Sequence, residues 1–253
     1  LEGDLGQVAS GGRVQMDQTP AGTYNLEVGF GSLPTLGHLE LANGNNANLT
    51  GDDMGEMGQL TLPSATGVFN IGPHRLPIRN GINDGGNPFG LNKSIRVDGN
   101  FSDRGLGLYL DANDTYVFPI STNANATPRY TPVTATISGF PGASEGYLDF
   151  SVVDQAHPSL NSAAPAGSAL TYFFRARTSG FGATRPNVVY DFVYNAFDNA
   201  PTPVAPMVPG KIVSANRVFE DAPDYDNPGN TIQFDATGTF PVETGDYTAG
   251  NEV

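Results

Sequence analysis

The sequence predicts an all-β protein, a jelly roll or β-sandwich-type barrel with long Gly/Pro-rich loops and little helix. Three observations predict it. Short runs of alternating apolar and polar residues recur along the chain, the period-two signature of strands with one buried face. The 32 glycines and 20 prolines are spread throughout, which marks many turns. No stretch sustains the apolar period of a helix without an interrupting Gly or Pro. A chain of 253 residues is ample for a core without staples, and β-domains often reach this size as one unit. The expected organisation is a single β-domain over residues 1–253, with a crossover at 199–210 leading to a C-terminal strand and tail.

The strands follow in order. Tyr24, Leu26, Val28 and Phe30 alternate in the first strong one, and His38–Leu41, Gln59–Leu62 and Ser94–Asp98 come next. Leu106, Leu108 and Leu110 alternate with Gly107 and Tyr109, and Thr115–Ile120 follows. Val133, Ala135 and Ile137 repeat the pattern, as do Leu148, Phe150 and Val152. Leu170–Arg177 sets Leu170, Tyr172 and Phe174 on one side and Arg175 and Arg177 on the other. Val188–Phe197 (VVYDFVYNAF) is apolar on both faces. Such a strand is expected to be central and covered on both sides, one cover being a neighbouring subunit. Val188, Tyr190, Phe192, Tyr194 and Phe197 are therefore the candidate interface residues. Lys211–Phe219 and Thr231–Phe234 complete the set.

Between the strands, Ala42–Gly58 and Pro73–Leu91 read as polar, turn-rich linkers. Asn199–Gly210 carries Pro201, Pro203, Pro206 and Pro209 and should be extended and stiff. The segments Thr19–Thr23 (TPAGT) and Ala164–Ser168 (APAGS) echo each other, and a Pro-Gly turn entering a strand accounts for both.

Composition excludes several function classes. There is no cysteine, hence no disulfide, zinc thiolate or cysteine nucleophile. The net charge of −14 disfavours direct nucleic-acid binding through a basic face. Lysine occurs only at Lys93 and Lys211, an imbalance that suits a surface built for high salt. An ordinary acidic extracellular protein is the competing reading. No apolar run is long enough to span a bilayer. The start Leu1-Glu2-Gly3-Asp4 has neither a basic nor an apolar leader segment and lacks an initiator Met, as a processed product would.

Candidate chemistry is sparse. His38, His74 and His157 lack metal-ligand spacing, and no nucleophile elbow, P-loop or dinucleotide fingerprint occurs. Acids cluster at Asp52–Glu56, Asp111–Asp114 and Glu220–Gly229. The last resembles part of a calcium loop, with Asp224 and Asp226 as first and third ligands, Gly229 at the turn and Asp235 at the final position. Pro228 and the lack of flanking helices depart from an EF-hand, and a solvated acidic loop is the other reading. No cofactor is expected beyond calcium or another cation at that loop. Paired acids could serve glycoside hydrolysis, but the chain has no tryptophan to line a sugar cleft. The chain is read as not an enzyme. Sequons stand at Asn48, Asn92, Asn100, Asn113 and Asn125.

What remains is a building block. The acidic, lysine-poor, cysteine-free chain, with strands at Tyr24–Phe30, Ser94–Asp98, Leu106–Leu110, Val133–Ile137, Leu148–Val153, Leu170–Arg177 and Val188–Phe197, resembles the single jelly-roll major capsid proteins of internally membraned icosahedral viruses of halophilic archaea. The resemblance implies a virion capsid subunit that assembles with copies of itself and other structural proteins, with no catalytic residues. Two alternatives stand beside it. One is an extracellular filament or surface-layer subunit, joined by calcium bridging or by exchange of a strand at Gly3–Met16 or Thr231–Val242. The other is a carbohydrate-active β-sandwich.

Overall fold

The computed structural model describes residues 12–29, 35–123, 128–142, 144–159, 169–194, 208–213, 216–219, 225–226, 231–234 and 241–250. All regular structure among them is β. None of them forms a helix long and apolar enough to cross a membrane, which says nothing of crossing by strands.

The first half is a run of short strands: β1 (Arg13–Met16), β2 (Thr23–Val28), β3 (Thr35–Leu41), β4 (Asn46–Gly51), β5 (Glu56–Thr61), β6 (Gly67–Gly72), β7 (Arg75–Ile78), β8 (Ile82–Asn83), β9 (Lys93–Val97) and β10 (Gly105–Leu110). Then come β11 (Thr115–Phe118), β12 (Ile120–Thr122), β13 (Arg129–Tyr130), β14 (Val133–Ser138), β15 (Gly146–Val153), β16 (Phe173–Ser179) and β17 (Asn187–Val193). The last are β18 (Val208–Val213), β19 (Asn216–Phe219), β20 (Tyr225–Asp226), β21 (Thr231–Phe234) and β22 (Gly245–Gly250).

Successive strands of the first half do not pair with each other. They alternate between two sheets, β1, β3, β5, β7 and β10 in one and β2, β4, β6, β9 and β12 in the other. Within each sheet the neighbours are parallel. The chain thus winds as stacked coils, returning to the same place in a sheet after 23 and then 22 residues at Asn25, Asn48 and Asn70. Alternation turns one set of side chains into the coil. Leu26 stacks on Leu49, Phe69 on Ile95 and Ile95 on Ile120 in one sheet, while Val14, Leu39 and Leu60 stack in the other.

The coil corners need special backbone. Asn43 and Gly44 carry positive φ of 55° and 73° between β3 and β4, where Asn and Gly are tolerated best. The next residue, Asn45, is fully buried. Its Nδ2 donates to the carbonyls of Ala42 (2.7 Å), Gln18 (3.2 Å) and Met16 (3.3 Å), and its Oδ1 accepts from the Gly22 amide at 2.6 Å. One side chain therefore ties together the backbones of two adjacent corners.

From β10 onward the pairing changes. The sheet continues through β15, β16, β22, β18 and β19, all antiparallel. A five-stranded antiparallel sheet, ordered β11, β14, β17, β21, β20, contributes to the same apolar cluster. Aromatic rings fill the space between the two: Phe150 meets Phe118, Tyr190 and Phe192 at 4.9, 5.4 and 6.0 Å, and Tyr247 meets Tyr190 and Phe234 at 5.2 and 5.1 Å. These edge-on contacts are the arrangement ring quadrupoles favour.

This architecture is a β-solenoid of stacked coils with mixed sheets, and it corrects the expectation of a jelly roll or sandwich-type barrel. Period-two alternation reports a buried face but not the partner strand or its direction, so parallel coils and antiparallel hairpins look alike in sequence. Two linker readings fail for a related reason. Ala42–Gly58 contains β4, and Pro73–Leu91 contains β7 and β8. Their strands are short and carry Asn, Gly and Pro, residues that local reading assigns to turns. Of the crossover at 199–210, residues 199–207 lie outside the described residues, and the remainder opens β18.

Candidate functional site: a polar groove on the six-stranded sheet

The outward faces of β2, β4, β6 and β9 form a band of polar side chains. Register places Asn25 beside Asn48, Asn48 beside Asn70, Asn70 beside Arg96 and Arg96 beside Ser121. Parallel in-register stacking repeats the same position every coil, so like residues form a ladder, as they do in other stacked β-structures. The Asn48 Nδ2 donates to Asn25 Oδ1 at 3.1 Å, and the Asn70 Nδ2 to Asn48 Oδ1 at 3.5 Å.

Beside this ladder lies an open groove of about 470 Å³, lined by Thr23, Gly44, Asn46, Asn48, Thr66, Gly67, Val68, Asn70, Asn92, Arg96 and Asn123. The lining holds amides, hydroxyls and one guanidinium, and no carboxylate. Arg96 is half-buried, donating to the Leu91 carbonyl at 3.2 Å and reaching the Ser121 hydroxyl at 3.5 Å. Burial lowers its pKa from the ordinary guanidinium value, yet arginine keeps its charge across the neutral range. Among the described residues no carboxylate forms an ion pair with it. The groove can hold a polar ligand by hydrogen bonds and one charge, and it offers no pair of acids for hydrolysis.

The sequence-predicted site residues lie elsewhere. Val188, Tyr190, Phe192 and Tyr194 are at most 2% exposed and face the chain's own core. The Tyr190 and Phe192 rings pack on Phe150, Phe174 and Tyr247 of β15, β16 and β22. The partly exposed residues of β17 are Asn187, Val189, Asp191 and Val193. Phe197 lies outside the described residues, as do Asp224 and Asp235 of the calcium reading. Asp226 falls in β20, opposite Thr231. Among the described residues no group of three or more His, Cys, Asp or Glu is placed to hold a metal ion.

His38, His157 and the acids Asp53, Glu56 and Asp114 have structural partners. His157 is buried, its Nε2 3.1 Å from Asp246 Oδ2 and its Nδ1 accepting from the Ser159 amide at 3.1 Å. Both ring nitrogens are engaged, so neither is open to a metal or substrate. His38 Nε2 pairs with Thr61 Oγ1 at 2.8 Å. Asp53 accepts from the Arg75 amide at 2.8 Å and pairs with Arg104, while Glu56 holds Arg79 at 3.4 Å and the Tyr147 hydroxyl. Asp114 accepts from the Thr115 amide at 2.7 Å.

Sequence reasoning missed the groove, because its residues come from five coils. One signal was present: asparagine recurs at Asn25, Asn48 and Asn70 at near-equal spacing. No family model, curated protein or solved structure matches the chain.

Proposed function

We propose that the chain is a non-catalytic structural subunit of an assembly outside the cell, a virion or a cell-surface array. One observation carries this reading: among the described residues, many charged side chains are paired with one another and hold strands together. Asp149 binds Arg75, Asp246 binds both Arg175 and His157, Asp154 binds Arg129, and Glu40 binds Arg13. Pairs of this kind tie separate strands and loops into a rigid body, which suits a scaffold better than a catalyst.

The ends of the coil stack suggest how copies join. Among the described residues β1 and β2 are terminal in their sheets, each with a neighbour on one side only. A terminal strand is a template for further pairing. The described part of the Gly3–Met16 candidate is β1, paired to β3, and Thr231–Phe234 is β21, paired to β17. Strand addition beside β1 and β2 by a second copy therefore fits better than donation of either segment.

Electron microscopy of the native material, with light scattering over a range of concentration and salt, tests the reading. An ordered shell, sheet or filament with the coil axes in register supports it. A chain that stays monomeric at every concentration and salt overturns it.

A further inference from the structure

We propose that the polar groove on the six-stranded sheet binds a glycan containing uronic acid, with the asparagine ladder holding successive sugars and Arg96 pairing with a carboxylate. The inference is independent of how copies assemble.

The chemistry of the lining supports it. A carboxamide both donates and accepts, as does a sugar hydroxyl, and Asn46, Asn48, Asn70, Asn92 and Asn123 converge on the groove with Thr23 and Thr66. The ladder is used internally only in part: Asn48 makes one bond to each neighbour, so its amide retains a donor and an acceptor position.

The spacing supports it as well. Neighbouring strands lie about 4.8 Å apart, close to the length of one pyranose unit along an extended chain. Of the residues in this register, Asn48, Asn70 and Arg96 line the groove and make two such steps, roughly 10 Å. A glycan lying along the coil axis, across the strands, would present a new sugar to each coil in turn.

Arg96 sets the charge of the ligand. Arg13, Arg75, Arg79, Arg104, Arg129 and Arg175 each pair with a carboxylate of this chain. Arg96 instead lies in a groove without one, desolvated, and its planar fork matches a carboxylate. With no acid in the lining to repel it, an anionic sugar can sit there even in a protein of net charge −14. The same absence of acids leaves no carboxylate pair for glycoside hydrolysis in the groove.

The test is calorimetric titration of the full chain with tetragalacturonate, with its uncharged methyl ester and with a sulfated oligosaccharide of equal length. The expected result is saturable binding of tetragalacturonate, at least tenfold tighter than its ester. Arg96→Gln should remove that preference, Arg96→Lys should restore part of it, and Asn70→Ala should weaken all binding several-fold. Thermal unfolding of each variant checks that it folds as the parent does. Equal affinity for acid and ester, no binding of either, or an unchanged preference in folded Arg96→Gln overturns the proposal. Tighter, Arg96-dependent binding of the sulfated sugar overturns the assignment of a carboxylate.

Discussion

Arg75 and Asp149 form a two-pronged ion pair across an intervening strand. Arg75 Nε donates to Asp149 Oδ1 at 2.9 Å and Nη2 to Oδ2 at 3.0 Å, although β10 lies between β7 and β15. The path is open because Gly107, opposite Asp149 and beside Pro77, has no side chain. A Cβ there would stand 2.0 Å from Asp149 Oδ1. The pair ties the parallel coils to the antiparallel half. Burial raises the Asp149 pKa and the Arg75 guanidinium opposes that shift.

Gly107→Ala should therefore destabilise the fold by about 3 kcal/mol, through overpacking and the displaced pair. Arg75→Ala should cost about 3–5 kcal/mol, because it leaves a buried carboxylate without its partner. Denaturant unfolding measures both. A change within experimental error for either variant would show that the pair does not join the two halves.

Phe150 sits where three aromatic contacts meet, on Phe118, Tyr190 and Phe192. Phe150→Ala should lower stability by about 3–5 kcal/mol. Val189→Ala, on the partly exposed side of β17, should cost well under that. Equal effects at the two sites would contradict the inward facing of β17's aromatic residues.

Asp103 carries a pH signature. Its Oδ2 accepts from the amides of Gly99 (2.7 Å) and Asn100 (3.0 Å), but Oδ1 is buried with no hydrogen-bond partner in the protein. Burial pushes its pKa up to about 6 from an ordinary 3.8, against those two hydrogen bonds. The folded chain thus keeps a proton that the unfolded chain has released. The group's contribution is greatest below its ordinary pKa and is lost as pH rises through about 6. Asp103→Asn should flatten that part of the stability profile. Parallel profiles for parent and variant between about pH 4 and 7 would rule the effect out.

Salt should stabilise the fold. The chain's net charge is −14, and both lysines are buried, Lys93 against the carbonyls of Asp84 and Asn87 and Lys211 against Glu243. Screening of carboxylate repulsion is therefore left to solution cations. The melting temperature is expected to rise from low salt to molar sodium chloride. A flat or falling curve would refute a surface built for high salt.

How much of this was legible can be argued from single residues. Leu26, Val28, Leu106, Leu108, Leu110 and Phe150 were readable as inward-facing strand positions, and all are buried. The groove was not readable, since Asn48 fell in a segment read as a linker and Asn70 in none of the expected strands. Hydrogen bonding along a ladder, not local propensity, gives them their place.

The sequence by itself determined that the regular structure among the described residues is β and, in its clearly alternating strands, which positions face inward. Those are local consequences of side-chain alternation and backbone sterics. Only the tertiary structure decided that strands return in parallel coils, that Val188, Tyr190, Phe192 and Tyr194 face the chain's own core, and that Arg75 reaches Asp149 over Gly107. Each depends on which strands become neighbours. That choice is made by the summed packing of residues far apart in sequence, and no local pattern carries it.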